Sequence, residues 1–224
     1  MDITYLELPT SDLQAQKDFY ANVLELPVTL SPAGLEVKAG KTDLLFTRAA
    51  PDFDGAYHFA FNIPGNQFRA ARDWISGRVP LLHDENGQDE FESESWNSHS
   101  VYFKDEAGNV LEFIARHNLK NSVEDDFDSR QILQVSEIGL PSVDVLAFAD
   151  ELCALLSLSV FKQQPNESFT PVGDDNGLFI LPIKDRVWIP NSGVPAKLLP
   201  VKVRGEAGGK EWEVRGVPYE IMRY

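Results

Sequence analysis

The sequence predicts an α+β protein built from tandem β-α-β-β-β modules, and three observations carry that prediction. Short runs in which apolar and polar residues alternate recur along the chain, the signature of half-buried strands. A single amphipathic helix follows the opening run of each set. One set also repeats another at a constant spacing, as duplicated modules do.

The elements follow in order. Residues 3–10, Ile3-Thr4-Tyr5-Leu6-Glu7-Leu8-Pro9-Thr10, alternate so that Leu6 and Leu8 share one face and Tyr5 and Glu7 the other. Ser11, with Gln14 three residues on, marks a capping box, and Leu13, Phe19, Tyr20, Val23 and Leu24 give the helix its buried stripe up to Pro27. Three short strands fit residues 28–30, 35–38 and 43–47, punctuated by Pro32-Ala33-Gly34 and Ala39-Gly40-Lys41. The unit then recurs. Tyr57-His58-Phe59-Ala60-Phe61-Asn62-Ile63 alternates strictly and leads through Pro64-Gly65 into a helix striped by Phe68, Ala71, Trp74 and Ile75. Strands near 79–82, 98–103 and 110–114 close the second module.

Residues 118–132 are polar and acidic without periodicity, so they predict a linker between 1–117, a pair of modules with the candidate site, and 133–224. Leu140-Pro141-Ser142-Val143-Asp144 mirrors Leu8-Pro9-Thr10-Ser11-Asp12, with Pro141 and Asp144 each 132 residues beyond Pro9 and Asp12. A third module is expected there. Its helix carries Val145, Phe148, Leu152, Leu155 and Leu156, and strands follow near 160–162, 169–172 and 178–181. Residues 198–222 hold strands but no room for a helix, which makes the fourth module a truncated one. Gly205-Glu206-Ala207-Gly208-Gly209 reads as a hairpin loop.

Composition narrows the function classes. With 224 residues, 43% hydrophobic and 25% charged, the chain is long enough for one large or two small folded domains. A formal net charge of −15 argues against nucleic acid, which demands clustered Lys and Arg. No apolar run reaches the roughly 18 residues a membrane span needs, and the opening residues do not read as a signal peptide. A cytoplasmic protein, monomer or homodimer, with a small-molecule ligand or substrate and no membrane partner is the expectation. Cys153, the single cysteine, lies among leucines as a small apolar group. Phosphate-cradling, dinucleotide-binding and nucleophile-elbow motifs are absent.

What remains is a histidine and a carboxylate on strands that face one another. Alternation turns His58 away from Phe59, Phe61 and Ile63, and turns Glu112 away from Leu111 and Phe113. Imidazole and carboxylate together are metal-ligand chemistry. Glu7, on the face of Tyr5, is the candidate for a third ligand or general base, or else a salt-bridge partner of Arg116. Tyr5 and Tyr102 are candidates for substrate contact or proton donation. His99 is a further candidate unless its register, shared with Val101 and Phe103, takes it elsewhere. Trp74 and Trp96 would offer stacking surfaces at a rim, beside the acidic segment 84–94.

A duplicated β-α-β-β-β unit with a Ser11-Asp12-Leu13 turn, Phe19-Tyr20 in its helix and the hairpin Tyr102-Phe103-Lys104-Asp105-Glu106-Ala107-Gly108-Asn109-Val110-Leu111-Glu112 resembles the vicinal-oxygen-chelate superfamily. That group contains glyoxalases, bleomycin- and fosfomycin-resistance proteins and extradiol dioxygenases. The resemblance implies U-shaped, partly closed mixed sheets with helices outside, and a metal held by the first and last strands of paired modules. Its ligand positions fall on Tyr5, Leu45, His58 and Glu112, of which His58 and Glu112 fit the family pattern. In the second half they fall on Glu137, Ile180, Leu198 and Glu220, read as structural for want of a histidine. The resemblance implies a divalent ion (Fe, Mn, Zn or Ni) and Lewis-acid chemistry on a vicinally oxygenated small molecule, by a lyase, isomerase or extradiol-type dioxygenase. The alternative it offers is metal-free sequestration of an antibiotic-like ligand.

Overall fold

The alternating runs become strands in a computed structural model that describes residues 1–224. The first module comprises β1 (Asp2–Thr10), α1 (Leu13–Asp18), a π-helical turn over Phe19–Val23, β2 (Val28–Ser31), β3 (Gly34–Ala39) and β4 (Thr42–Arg48). The second comprises β5 (His58–Ile63), α2 (Phe68–Ser76), β6 (Phe91–Ser93), β7 (Ser98–Lys104) and β8 (Val110–Arg116). The third has β9 (Gln134–Gly139), α3 (Val145–Leu156), β10 (Phe169–Asp174) and β11 (Gly177–Pro182), and the last only β12 (Val201–Ala207), β13 (Lys210–Gly216) and β14 (Glu220–Arg223).

Local chemistry explains most boundaries. Asp12, not Ser11, caps α1, its Oδ1 accepting the Gln14 and Ala15 amides at 2.9 Å each. Asp144 does the same for α3, accepting the Ala147 amide. Gly208 and Gly209, at φ +57° and +73°, form the two-residue turn joining β12 to β13, a conformation in which both positions need positive φ. The runs at 79–82 and 160–162 supply only single bridges, Leu81 to Phe103 and Val160 to Val172. The acidic segment 84–94 contributes the edge strand β6 instead. Residues 118–132 are not a free linker: Phe127, Gln131 and Ile132 are buried, and Asp128 with Gln131 forms a reciprocal capping box.

The modules join across the chain rather than along it. One mixed sheet runs β14-β13-β12-β1-β4-β3-β2, and the other β10-β11-β9-β5-β8-β7-β6. Modules one and four therefore share a sheet, and two and three share the second; one of the two sheets curls into a half-barrel. Each sheet is centred on an antiparallel pair of opening strands, β1 with β12 and β5 with β9, and in each β1 or β5 lies parallel to its module's last strand. A cluster of 44 buried apolar residues unites one face of both sheets, through Leu6, Leu8, Phe59 and Phe61, with the helices. The other face of the second sheet carries a separate apolar lining of seven residues, Tyr102, Val110 and Trp188 among them. That face is the cup.

Candidate metal centre

Register decides which side chains meet in the cup. Ala60 on β5 lies opposite Glu112 on β8 and opposite Glu137 on β9. Residues directly opposite one another point to the same face, so two carboxylates flank a methyl group, and His58 joins them two residues along β5. The result is a compact donor set. Ligand atoms of His58, Glu112 and Glu137 all lie within 4.8 Å of one another, and His58 Nε2 is 3.7 Å from Glu112 Oε2. All three residues are buried.

Hydrogen bonding fixes the state of the imidazole. His58 Nδ1 lies 3.0 Å from the Val110 carbonyl oxygen. A carbonyl only accepts, so the proton sits on Nδ1 and Nε2 presents a lone pair to the carboxylates. Burial pushes the ring down to about 4, which keeps it neutral at pH 7, although the Val110 bond works the other way. Glu112 is pushed well above the ordinary carboxylate range by burial and by the neighbouring Glu137 charge, against the pull of Ser100, Arg116 and Tyr102. Glu137 is raised by burial despite its Arg116 partner. Two carboxylates that resist ionisation beside a free imidazole lone pair fit a divalent cation, whose charge reverses that penalty. Ile180, on β11, lines the same cavity and offers no ligand atom.

The cavity measures about 410 Å³ and is walled largely by Phe91, Trp96, Tyr102, Phe169 and Trp188. Trp188 belongs to the segment after β11 and packs on His58 at a tilt, ring centroids 4.9 Å apart and planes at 38°. It fits because residue 139 is glycine: a Cβ there would stand 2.4 Å from the indole. Arg116 is fully buried and does not line the cavity. It pairs with Glu137 through Nη2, donates from Nε to Asn62 Oδ1 at 3.2 Å, and lies over the rings of Trp96 and Phe161.

The structure brings His58, Glu112 and Tyr102 together and places the other candidates elsewhere. Tyr5 and Glu7 are in the first sheet, where the Tyr5 hydroxyl donates to Glu7 at 2.7 Å, Lys202 stands 3.9 Å from Glu7, and the Arg204 guanidinium covers the Tyr5 ring. That face is filled by salt bridges. Glu7 does not line the cup and does not meet Arg116, and Leu45 sits beside Tyr5 in a separate pocket. His99 bonds His117 at 2.8 Å and packs on Phe68, outside the cup. Trp96 lines the cavity, whereas Trp74 packs on Phe113 and Phe127 beneath Arg78. Glu137 is the residue sequence reasoning set aside. Its signal was the repeat, which places it at a ligand position, and it was missed because modules were paired in chain order.

No family model and no curated protein matches the chain. A solved structure from Bacillus subtilis, described as a candidate dioxygenase, superposes with a TM-score of 0.62 over 96% of this chain and 81% of its own, at 14% identity. The chain has the vicinal-oxygen-chelate fold. Two other solved structures match about half of it. A lactoylglutathione lyase from Agrobacterium tumefaciens, 24% identical, covers 50% of this chain and 91% of its own at a TM-score of 0.41. A fosfomycin resistance protein from Listeria monocytogenes, in complex with Mn(II) and a dihydroxypropylphosphonic acid, is 18% identical over 49% of this chain and 85% of its own, at 0.38. The His58, Glu112 and Glu137 cluster lies on β5, β8 and β9, three neighbouring strands of the second sheet. No helix is long and apolar enough to cross a membrane.

Proposed function

We propose that the chain holds a divalent metal ion on His58, Glu112 and Glu137 and acts on a small molecule with adjacent oxygen atoms. The observation that carries this is the convergence of two buried carboxylates on an imidazole whose Nε2 lone pair is freed by the Val110 bond. A set of one nitrogen and two oxygens suits Fe(II), Mn(II), Zn(II) or Ni(II), and three protein ligands leave positions for a substrate. When bound, such an ion supplies Lewis acidity to a carbonyl or enolate oxygen.

The chain's own residues have separate tasks. Val110 fixes the tautomer and ring plane of His58, and Trp188 packs that ring from above. Tyr102 faces Glu112, and burial beside Glu112 and Glu137 raises its hydroxyl far above neutrality. It therefore keeps its proton and can donate a hydrogen bond to a substrate oxygen. Aromatic walls exclude water and favour a flat, unsaturated ligand. Tyr5 and Glu7, bonded to each other in the first sheet, are assigned no part in this chemistry.

Metal analysis of protein purified without chelator tests the proposal. About one equivalent is expected in wild type and in Glu7→Ala, with loss in His58→Ala, Glu112→Ala and Glu137→Gln. Absence of metal from wild type after loading with Zn(II), Mn(II), Ni(II) or Fe(II) would refute it. The second reading, a metal-free binding cup, draws on the Arg116 pairing, which already neutralises Glu137 without a cation. It predicts ligand binding that survives chelator.

A further inference from the structure

A second cavity, of about 460 Å³, lies between the turn joining β3 to β4, the segment from 119 to 134 and the turn joining β10 to β11. It shares no lining residue with the cup. The chain carries 35 acidic against 20 basic residues, yet this cavity is lined by Lys41, Lys120 and Arg130 and by no acid at all. Its other polar side chains are amides, Gln134 and Asn62 among them.

The backbone that carries these cations is fixed. Lys41 follows Gly40 in the turn after β3, and its amide donates to the Leu133 carbonyl at 2.9 Å, which ties a turn of the first sheet to the segment leading into β9. Glycine permits that approach: residue 40 holds φ +55°, and a Cβ there would stand 1.9 Å from the Leu133 oxygen. Asn121, next to Lys120, accepts the Gly65 amide at 2.9 Å and so pins its own segment beyond the end of β5. Arg130 is engaged by Asp128, which stands outside the lining, at 2.6 Å. Lys41 and Lys120 have no such partner; the lysines that pair with carboxylates are Lys38, Lys162, Lys184, Lys197 and Lys202. Two unpaired ammonium groups at one acid-free recess attract an anion.

The amides narrow the ligand. Asn62 is satisfied by Arg116 Nε and by the Asp175 carbonyl. Gln134 is not: it is 4% exposed, its Nε2 donates to the Asn176 carbonyl at 2.7 Å and to Asp2 Oδ1 at 3.4 Å, and its Oε1 accepts no hydrogen bond. An acceptor left open in the wall calls for a donor, and a hydroxyl supplies one. We infer that this cavity binds a small phosphorylated polyol, a sugar phosphate, with its phosphate against Lys41 and Lys120 and a hydroxyl donating to Gln134 Oε1. Two lysines match the nearly double charge of a phosphate monoester better than the single charge of a carboxylate. The volume exceeds that of a phosphate group and suits a sugar attached to one.

The site is independent of the metal centre, so the test uses chelator-treated protein. Isotope-labelled chain is titrated at low ionic strength with ribose 5-phosphate, ribose and inorganic phosphate while its backbone amide resonances are followed. Ribose 5-phosphate is expected to give saturable shifts at Gly40, Lys41, Lys120, Asn121 and Gln134, inorganic phosphate to bind about tenfold more weakly, and ribose to give none. Lys41→Glu and Lys120→Glu each weaken binding by about tenfold or more, whereas Lys210→Glu, which reverses a lysine at the start of β13 and outside the cavity, leaves it unchanged. Absence of saturable shifts, shifts confined to the cup, equal affinity for phosphate and ribose 5-phosphate, or an equal loss in Lys210→Glu overturns the inference. None of these outcomes bears on the metal ligands.

Discussion

Replacing Arg116 with methionine keeps an unbranched stem against Trp96 and removes the charge, which isolates the value of the buried ion pair. Glu137 is almost completely buried and Arg116 completely so, so the variant strands a carboxylate in a dry cup. Removing one partner of such a pair costs about 3–5 kcal/mol. Two features of this site pull the cost toward the lower end. Nη1 has no partner, so its burial penalty of roughly 1 kcal/mol disappears with it. Glu137, already raised by burial, can take up a proton once Arg116 is gone. A loss of about 3 kcal/mol is expected, equivalent to roughly 6–12 °C in melting temperature for a chain of this length. Arg116→Met with Glu137→Leu removes both charges and should recover most of it. Urea unfolding followed by far-UV circular dichroism measures the cycle. A single variant that loses less than about 1 kcal/mol, or a double variant no more stable than the single, would show that the pair is not a buried electrostatic unit.

Two further outcomes follow from the same cup. His58 is pushed from its ordinary 6.5 to about 4, so between those values the unfolded chain binds a proton that the folded chain refuses. Wild type should lose stability relative to His58→Gln as pH falls from 6.5 to 4, by about 3 kcal/mol in metal-free protein, and pH-dependent urea titrations with a flat difference would contradict the assigned burial. Gly139→Ala places a methyl group 2.4 Å from the Trp188 ring and should cost about 1–3 kcal/mol while moving the indole off His58; a red-shifted tryptophan emission and weakened zinc binding are the readouts, and unchanged emission would count against it.

Much of the fold was legible because its signals are local. Alternation in residues 57–63 and 110–114 reports strand faces directly, and the constant spacing from Pro9 and Asp12 to Pro141 and Asp144 marks two helix starts, each capped by its aspartate. His58 and Glu112 could be brought together for the same reason, since both lie in one module and their strands are neighbours. Glu137 could not. Its place beside Ala60 depends on β9 pairing with β5, a choice between alternative partners that no residue of either strand declares. Glu7 drew attention through its alternation with Tyr5, but alternation gives a face and not which of two sheets that face belongs to. From sequence Arg116 is only an alternative salt-bridge partner for Glu7; the packed structure places Trp96 and Phe161 over its guanidinium.

The nesting of the modules also sets an order of assembly. The second sheet draws on residues 58–182 alone, whereas the first must bring residues 2–48 to residues 201–223, at opposite ends of the chain. Closing so long a loop carries the larger entropic cost and waits on the last strands to leave the ribosome. The inner sheet, which holds the cup, can be complete while β1 still lacks β12. During synthesis the unpaired edge of β1 is then the exposed surface most open to wrong partners, and the hairpin of β12 and β13, turning on two glycines, is the element that retires it.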